Sequence, residues 1–215
     1  MRTWEIVNND GVWLRSRREI AKAFSDNFSQ LFAPALTSTI SQVPFSSYLC
    51  HHFSDLDKHD MRIIPDWHEI KVTIFNMGSL KAPGPDGFPA LFFKKFWHIV
   101  SEDVISVVRS FFISGKMPTN LNDTNLVLIP KNESPENISH FRPIALCNVV
   151  YKVISKILAN RVKPFLNSLV CPTQTAFVPN RSIHDNSVIV QEILHKMKRK
   201  SGKGGLMVIK IDLGI

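Results

Sequence analysis

The spacing of hydrophobic positions along the 215-residue chain alternates between helical and strand-like patterns. Apolar residues three or four positions apart predict amphipathic helices. The segments with this spacing are 16–32, 67–77, 89–97, 104–114, 149–169 and 184–200. Apolar segments rich in branched side chains predict β-strands instead. These are 125–131, 142–148 and 206–213. We therefore expect an α+β fold that is mostly helical with one β-hairpin.

Polar residues mark where two of these helices begin. Asp66 is followed three positions later by Glu69, and Ser182 is followed by Asp185 at the same spacing. This is the pattern of a capping box, in which side chains bond to the free N–H groups of the first helical turn. Pro164 should kink or end the helix that contains it, because proline has no N–H to donate.

The same patterns divide the chain into four parts. Residues 1–33 form a lead-in with an amphipathic helix. Residues 34–65 have little periodicity and are interpreted as a linker. Residues 66–205 contain the remaining helices and the hairpin, and residues 206–215 contain a final strand.

The net charge of +8 is unevenly distributed along the chain. Residues 1–139 hold 14 Lys and Arg against 15 Asp and Glu, a net of −1, whereas residues 140–215 hold 12 against 3, a net of +9. A segment with this excess can face a polyanion, since Lys and Arg gain affinity by displacing counterions from phosphates. A solvated basic surface that only aids solubility is the alternative.

The cysteines and the apolar segments bear on where the protein works. Cys50, Cys147 and Cys171 are an odd and widely spaced set, which suits a reducing compartment. Cys50, His51 and His52 lack the paired spacings of a zinc site. No signal peptide or membrane-spanning segment is recognisable, so we expect an intracellular protein, cytoplasmic or nuclear.

Two features between the predicted elements could carry chemistry. The "KAPGPDG" segment at 81–87 has two prolines and two glycines, which predict a stiff, exposed loop that a ligand could approach closely, or else a plain turn between helices. Lys131 ends one strand of the predicted hairpin and Arg142 begins the other. The two cations should therefore lie near each other and could bind one anion, although independently solvated charges are the alternative.

The final predicted strand, "LMVIKIDL", carries Asp212 near its end. A carboxylate there could be a simple turn residue or a member of a catalytic cluster.

Five ordered motifs suggest a family. They are "KAPGPDGFPALFF", "LIPK", "FRPIALCNVVYKVISKILANRVKP", "QTAFVPNRSIHDN" and "IKIDL". Over about residues 66–213 the chain resembles the reverse transcriptase of LINE-type (non-LTR) retrotransposons, in particular the plant type. The resemblance implies a right-hand polymerase in which residues 66–205 form the fingers and residues 206–215 the first strand of the palm. It also implies RNA-directed DNA synthesis from a primer 3′-hydroxyl, with an RNA template, a DNA primer, dNTPs and Mg²⁺.

The resemblance also implies roles for individual residues. Arg142 would contact the triphosphate of the incoming dNTP, and Lys131 would lie beside it. Asp212 would be the first catalytic, metal-binding aspartate. Arg181 and the loop at 81–87 would line the path of the template and primer.

The excess of cations adds one further expected contact. Lys198, Arg199 and Lys200 form a basic cluster before the final strand and would bind nucleic acid.

The chain departs from the family pattern after Asp212. The pattern should continue with alanine, an aromatic residue and aspartate, and later with an Asp-Asp pair, but Gly214 and Ile215 end the sequence and no two aspartates are adjacent. A single carboxylate cannot hold the two metal ions of such a site. We expect a truncated chain, from a partial gene model or a degenerate element, that is inactive alone. A non-catalytic basic domain that binds nucleic acid or another partner is the alternative.

Overall fold

The structure, a computed structural model, describes residues 5–8, 11–33, 53–200 and 206–209. Its helices are α1 Arg17–Leu31, α2 Asp55–Arg62, α3 Trp67–Phe75, α4 Ala90–Lys95, α5 Trp97–Ser114, α6 Val149–Val162, α7 Leu166–Leu169 and α8 Ile183–Arg199. Its strands are β1 Ile6–Val7, β2 Trp13–Leu14, β3 Thr124–Pro130 and β4 Phe141–Cys147. Short 3-10 turns lie at Ile138–His140 and Lys163–Phe165. This mixture of helices and small antiparallel sheets agrees with the predicted α+β class.

The chain folds as two compact units. Unit 1 comprises Met1–Val43 and Asp55–Arg161, and unit 2 comprises Pro44–Ser54 and Val162–Ile215. The predicted region 66–205 therefore spans parts of both units. The boundary falls at the end of α6, immediately before Pro164, where the missing proline N–H ends regular α-helix.

A helical core stabilises unit 1. Branched and aromatic side chains of α3, α4, α5 and α6 meet there and exclude water. Its fully buried members include Ile70, Ile74, Val108, Val153, Ile154 and Ile157. Each such side chain contributes about 1.5–3 kcal/mol relative to an exposed one. The predicted apolar face of α6 is thus confirmed at Val153, Ile154 and Ile157, whereas Leu158 is exposed.

A second cluster in unit 1 joins the N-terminal helix to the β3–β4 hairpin. Phe24 of α1 meets Phe141 of β4 edge to face, with 5.2 Å between ring centroids, and both are buried with Ile6 and Ile138. Ile6 lies in the β1–β2 hairpin, which the spacing of apolar residues did not predict because each strand has only two residues. The lead-in helix is confirmed as amphipathic, and its apolar side covers the hairpin.

The predicted β3–β4 hairpin is confirmed as an antiparallel pair. Its register places Leu128 opposite Pro143 and Ile129 opposite Arg142. Successive side chains in a strand point to opposite faces, so Leu128 and Phe141 share the face that packs on α1. Arg142, next to Phe141, lies on the other face.

Arg161, near the end of α6, links that helix to the start of α3. Its guanidinium donates to Glu69 from Nε to Oε1 at 3.1 Å and from Nη2 to Oε2 at 2.7 Å. Nη1 donates to the carbonyls of Met61 and Ile63. The Cζ atom of Arg161 lies 5.2 Å from the centroid of the Phe112 ring. This planar fork therefore satisfies the carboxylate and closes the helical core at one end.

Several local predictions are revised by the structure. Residues 34–52 of the predicted linker, including Cys50, His51 and His52, lie outside the described residues, but its later part forms α2. α5 begins at Trp97 instead of near residue 104, because the chain continues directly from α4. In α3 the Asp66 carboxylate accepts the Glu69 N–H at 2.7 Å, as predicted.

Unit 2 contains α8, whose start follows the predicted capping box of Ser182 and Asp185. Among the described residues of α8 none is buried, and its apolar positions, such as Val190 and Ile193, are about half exposed. Of the predicted final strand, residues 206–209 have no regular secondary structure, and the remainder lies outside the described residues. Among the described helices, none has the length and apolar character needed to cross a membrane.

Candidate nucleotide and nucleic-acid interface

The hairpin positions Lys131 and Arg142 on one exposed face. The ladder continues past β3, since the Lys131 N–H donates to the His140 carbonyl at 2.7 Å. Lys131 is therefore two pairs beyond Ile129 and Arg142, on the same face, and diagonal to Arg142, a relation that places residues about 7–8 Å apart. Both side chains are exposed and long enough to reach a common ligand. The predicted proximity of the two cations thus follows from the observed register.

The same hairpin face is apolar away from its cations. Val127, Ile129 and Ile144 alternate with the residues that pack on α1, and each remains exposed. A one-residue slip of register would turn Arg142 toward α1 and Phe141 toward solvent. The burial of Phe141 against Phe24 therefore determines the direction in which Arg142 points.

The loop at 81–87 is held in place by Asn148, a buried residue at the start of α6. The Asn148 side-chain oxygen accepts the Asp86 N–H at 3.2 Å, and its amide nitrogen donates to the Leu121 carbonyl at 3.2 Å. Gly84 lies so close that a Cβ there would be 2.4 Å from the Asn148 backbone nitrogen. The glycine is thus required for this contact, and the loop is stiff, as predicted.

Arg181 is committed to the loop that precedes α8. Nη1 donates to the carbonyls of Cys171 at 2.6 Å and Gln174 at 2.7 Å. Nη2 donates to the carbonyls of Asn167 and Val170, both at 3.0 Å. These four bonds use all the hydrogens on its terminal nitrogens. Direct contact between Arg181 and nucleic acid stays a prediction. Only the Nε–H and the net charge of the guanidinium remain for such a contact.

That loop presents an aromatic ring that its sequence pattern did not single out. Phe177 is 101% exposed and has φ +63°, the left-handed region that costs a non-glycine residue about 1–2 kcal/mol. The neighbouring Val178 and Thr175 are buried. The loop thus buries its flanking side chains and holds this ring in solvent.

The predicted basic cluster lies at the end of α8. Lys198 and Arg199 are in its last turn and Lys200 follows it, all of them exposed. Cations at a helix C-terminus also complement the helix dipole, so the cluster stabilises α8 in addition to any ligand. Arg199 Nη1 lies 3.4 Å from His195 Nε2.

The predicted catalytic and metal-binding Asp212 lies outside the described residues. In the part of the chain that the structure does describe, no three His, Cys, Asp or Glu side chains come together in a way that could hold a metal ion. The Mg²⁺ expectation thus rests on Asp212 and the resemblance.

Comparisons with known proteins agree with the motif order. Residues 129–214 match the family model described as reverse transcriptase (RNA-dependent DNA polymerase). A Transposon TX1 uncharacterized 149 kDa protein from Xenopus laevis is 33% identical over 131 residues, which is 61% of this chain and 10% of that protein. A retrovirus-related Pol polyprotein from the type-1 retrotransposable element R2 of Nasonia vitripennis is 26% identical over 132 residues, 61% of this chain and 12% of that protein. Residues 129–214 thus match a reverse transcriptase domain, and about 61% of the chain is similar to proteins of non-LTR retrotransposons.

The matched region of the chain includes most of the predicted site. Lys131, Arg142, Arg181 and Asp212 all fall within residues 129–214, whereas the loop at 81–87 precedes them. The R2 polyprotein of Bradysia coprophila is similar at 27% identity over 135 residues, 60% of this chain and 14% of that protein. The chain therefore spans about a tenth to a seventh of the length of these relatives. Enzymes of this family generally use divalent metal ions.

Proposed function

We propose that this chain provides the fingers of an RNA-directed DNA polymerase and binds the RNA template, the DNA primer and the incoming dNTP. The observation that carries the proposal is that Lys131 and Arg142 are diagonal neighbours on one exposed hairpin face inside the matched region. Their positions depend on the register and on the burial of Phe141, so both cations are presented by rigid structure.

The chemistry of phosphoryl transfer supports these roles. The reaction is catalysed mainly by positioning and by neutralising charge on the phosphates. Arg142 can bind two phosphate oxygens at once with its planar guanidinium. Lys131 supplies a compact charge on a flexible side chain that can bind a third phosphate oxygen. The exposed Ile129 and Val127 beside them offer an apolar surface against which a base or sugar could lie.

We further propose that these 215 residues do not polymerise DNA by themselves. Asp212 is the proposed first ligand of Mg²⁺, a hard cation that accepts carboxylate oxygens. The adjacent pair of aspartates expected at such a site does not occur in these 215 residues. Two metal ions about 3.5–4 Å apart need more than one carboxylate to hold them.

Nucleotide binding is the first test. The fluorescence anisotropy of a labelled dATP should rise on titration with the chain, and Arg142→Ala and Lys131→Ala should each weaken that rise. Lys116→Ala, which removes an exposed charge after α5, is the matched control and should bind as the unchanged chain does. Equal binding by all four proteins would reject the assigned nucleotide contact.

Primer extension on an RNA template with Mg²⁺ is the second test. The proposal expects no incorporation above that of an Asp212→Asn variant, and incorporation above that control would contradict the proposed inactivity. RNA binding measured at rising salt distinguishes the proposed polymerase fragment from a domain that only interacts with other partners. A polymerase fragment should lose affinity steeply with salt because phosphate neutralisation releases counterions, whereas that alternative expects weak and flat binding.

A further inference from the structure

Unit 1 contains an open cavity of about 340 Å³ that is lined by three lysines. Lys81 is the first residue of the stiff loop, and Lys152 and Lys156 come from successive turns of α6. Gly78, Thr73 and Val149 form part of its walls. At about 30 Å³ for each water, its volume is that of roughly eleven water molecules, which is enough for a hydrated phosphate group.

The cavity is positively charged and has no internal counter-charge. Of the described residues that line it, none is acidic. Within the described part of the chain, Lys81 and Lys156 form no ion pair and their ammonium groups form no hydrogen bond, while Lys152 Nζ makes one long bond to the Ala82 carbonyl at 3.5 Å. Lys94 adds a fourth cation beside it, with Nζ 2.6 Å from the Met77 carbonyl.

The walls of the cavity are rigid, so the lysines are gathered by the fold. α6 is anchored through the core residues Val153 and Ile157, and the loop is tied to its start through Asn148 and Gly84. Like charges brought together in this way repel each other, by an amount that an anion between them would relieve. A solvated basic surface would not need such a concave arrangement.

We propose that this cavity holds a backbone phosphate of a single-stranded RNA, an inference that rests on the proposed function and extends it to a site on α6. Flexible ammonium groups act as point charges on phosphates and carry no base information. The contact is therefore independent of sequence, and Lys152 and Lys156 assign part of the positive charge of residues 140–215 to a site in unit 1. The binding surface includes α6 in addition to the hairpin.

The test measures how the affinity for a labelled single-stranded RNA varies with salt, between about 50 mM and 200 mM. Lys152→Ala/Lys156→Ala should reduce the slope of log affinity against log salt by about 0.7–1.4, since each phosphate contact on a single strand contributes about 0.7. Lys22→Ala/Lys116→Ala removes two exposed charges from elsewhere in unit 1 and should leave the slope unchanged. Lys152→Arg/Lys156→Arg keeps the charge and should bind as the unchanged chain does.

Circular dichroism of each variant checks that α6 remains folded, which the substitution to alanine favours because alanine is the better helix former. A second pair, Lys152→Gln/Lys156→Gln, keeps an unbranched polar stem without charge and should behave as the alanine pair. If the unchanged chain binds RNA steeply and both α6 pairs match the Lys22/Lys116 control, this inference is wrong while the proposed function stands. If the unchanged chain binds no RNA, both fail.

Discussion

The Arg161–Glu69 pair offers the sharpest test of how unit 1 is held together. Arg161→Ala removes two charge-assisted hydrogen bonds to the carboxylate, two bonds to main-chain carbonyls and the contact with Phe112. Breaking a buried pair costs about 3–5 kcal/mol. The Arg161 side chain is only 13% exposed but that of Glu69 is 35% exposed, so water can solvate the abandoned carboxylate. We therefore expect unit 1 to lose about 2–3 kcal/mol of unfolding free energy.

Urea unfolding followed by tryptophan fluorescence measures this loss, because Trp67 in α3 and Trp97 in α5 both lie in unit 1. A double-mutant cycle with Glu69→Ala should show a coupling of about 1–2 kcal/mol. Arg161→Lys should recover only part of the stability, since an ammonium cannot bind both carboxylate oxygens and the carbonyls together. A coupling near zero, or a fully stable lysine variant, would refute the reasoning.

Two further predictions concern the loops. Gly84→Ala should destabilise unit 1 by about 1–3 kcal/mol in the same urea assay, because its Cβ would overlap the backbone at Asn148 and overpacking costs this much. Gly87 has φ +75° but open space around it, so Gly87→Ala should destabilise unit 1 by no more than about 1 kcal/mol. Arg181→Ala should increase hydrogen exchange of its loop in unit 2, whereas Phe177→Ala should leave it unchanged because that ring is fully exposed. Equal exchange in the two variants would show that the four bonds of Arg181 do not hold the loop.

Much of the local structure follows from the sequence, because its causes are local. The helical spacing in α1 and α6 and the capping residues at Asp66 and Ser182 act over one or two turns, so a reader of the sequence can find them. The β3–β4 hairpin is similarly determined by two branched apolar runs that are close in the chain. Its register then follows from which residues must be buried, and the proximity of Lys131 and Arg142 follows from the register.

The candidate site was only partly predictable. The ordered motifs indicated the resemblance to reverse transcriptases and pointed to Arg142, Lys131 and Asp212. The role of Arg181 in bonding four carbonyls was not foreseen, because those carbonyls belong to a loop whose path the residue types do not reveal. Likewise, the cavity that Lys81, Lys152 and Lys156 line was not foreseen, because segments that are distant in the chain form it.

The sequence by itself determined most of the longer helices, the position of the β3–β4 hairpin and the resemblance to a family, since periodicity, caps and ordered motifs are properties of neighbouring residues. Only the tertiary structure decided which distant residues meet. Arg161 and Glu69 are 92 positions apart, and Asp86 and Asn148 are 62 apart. No local signal marks such partners, because their contact depends on how α3, the loop and α6 pack around a common core. The lysine-lined cavity is a product of that packing.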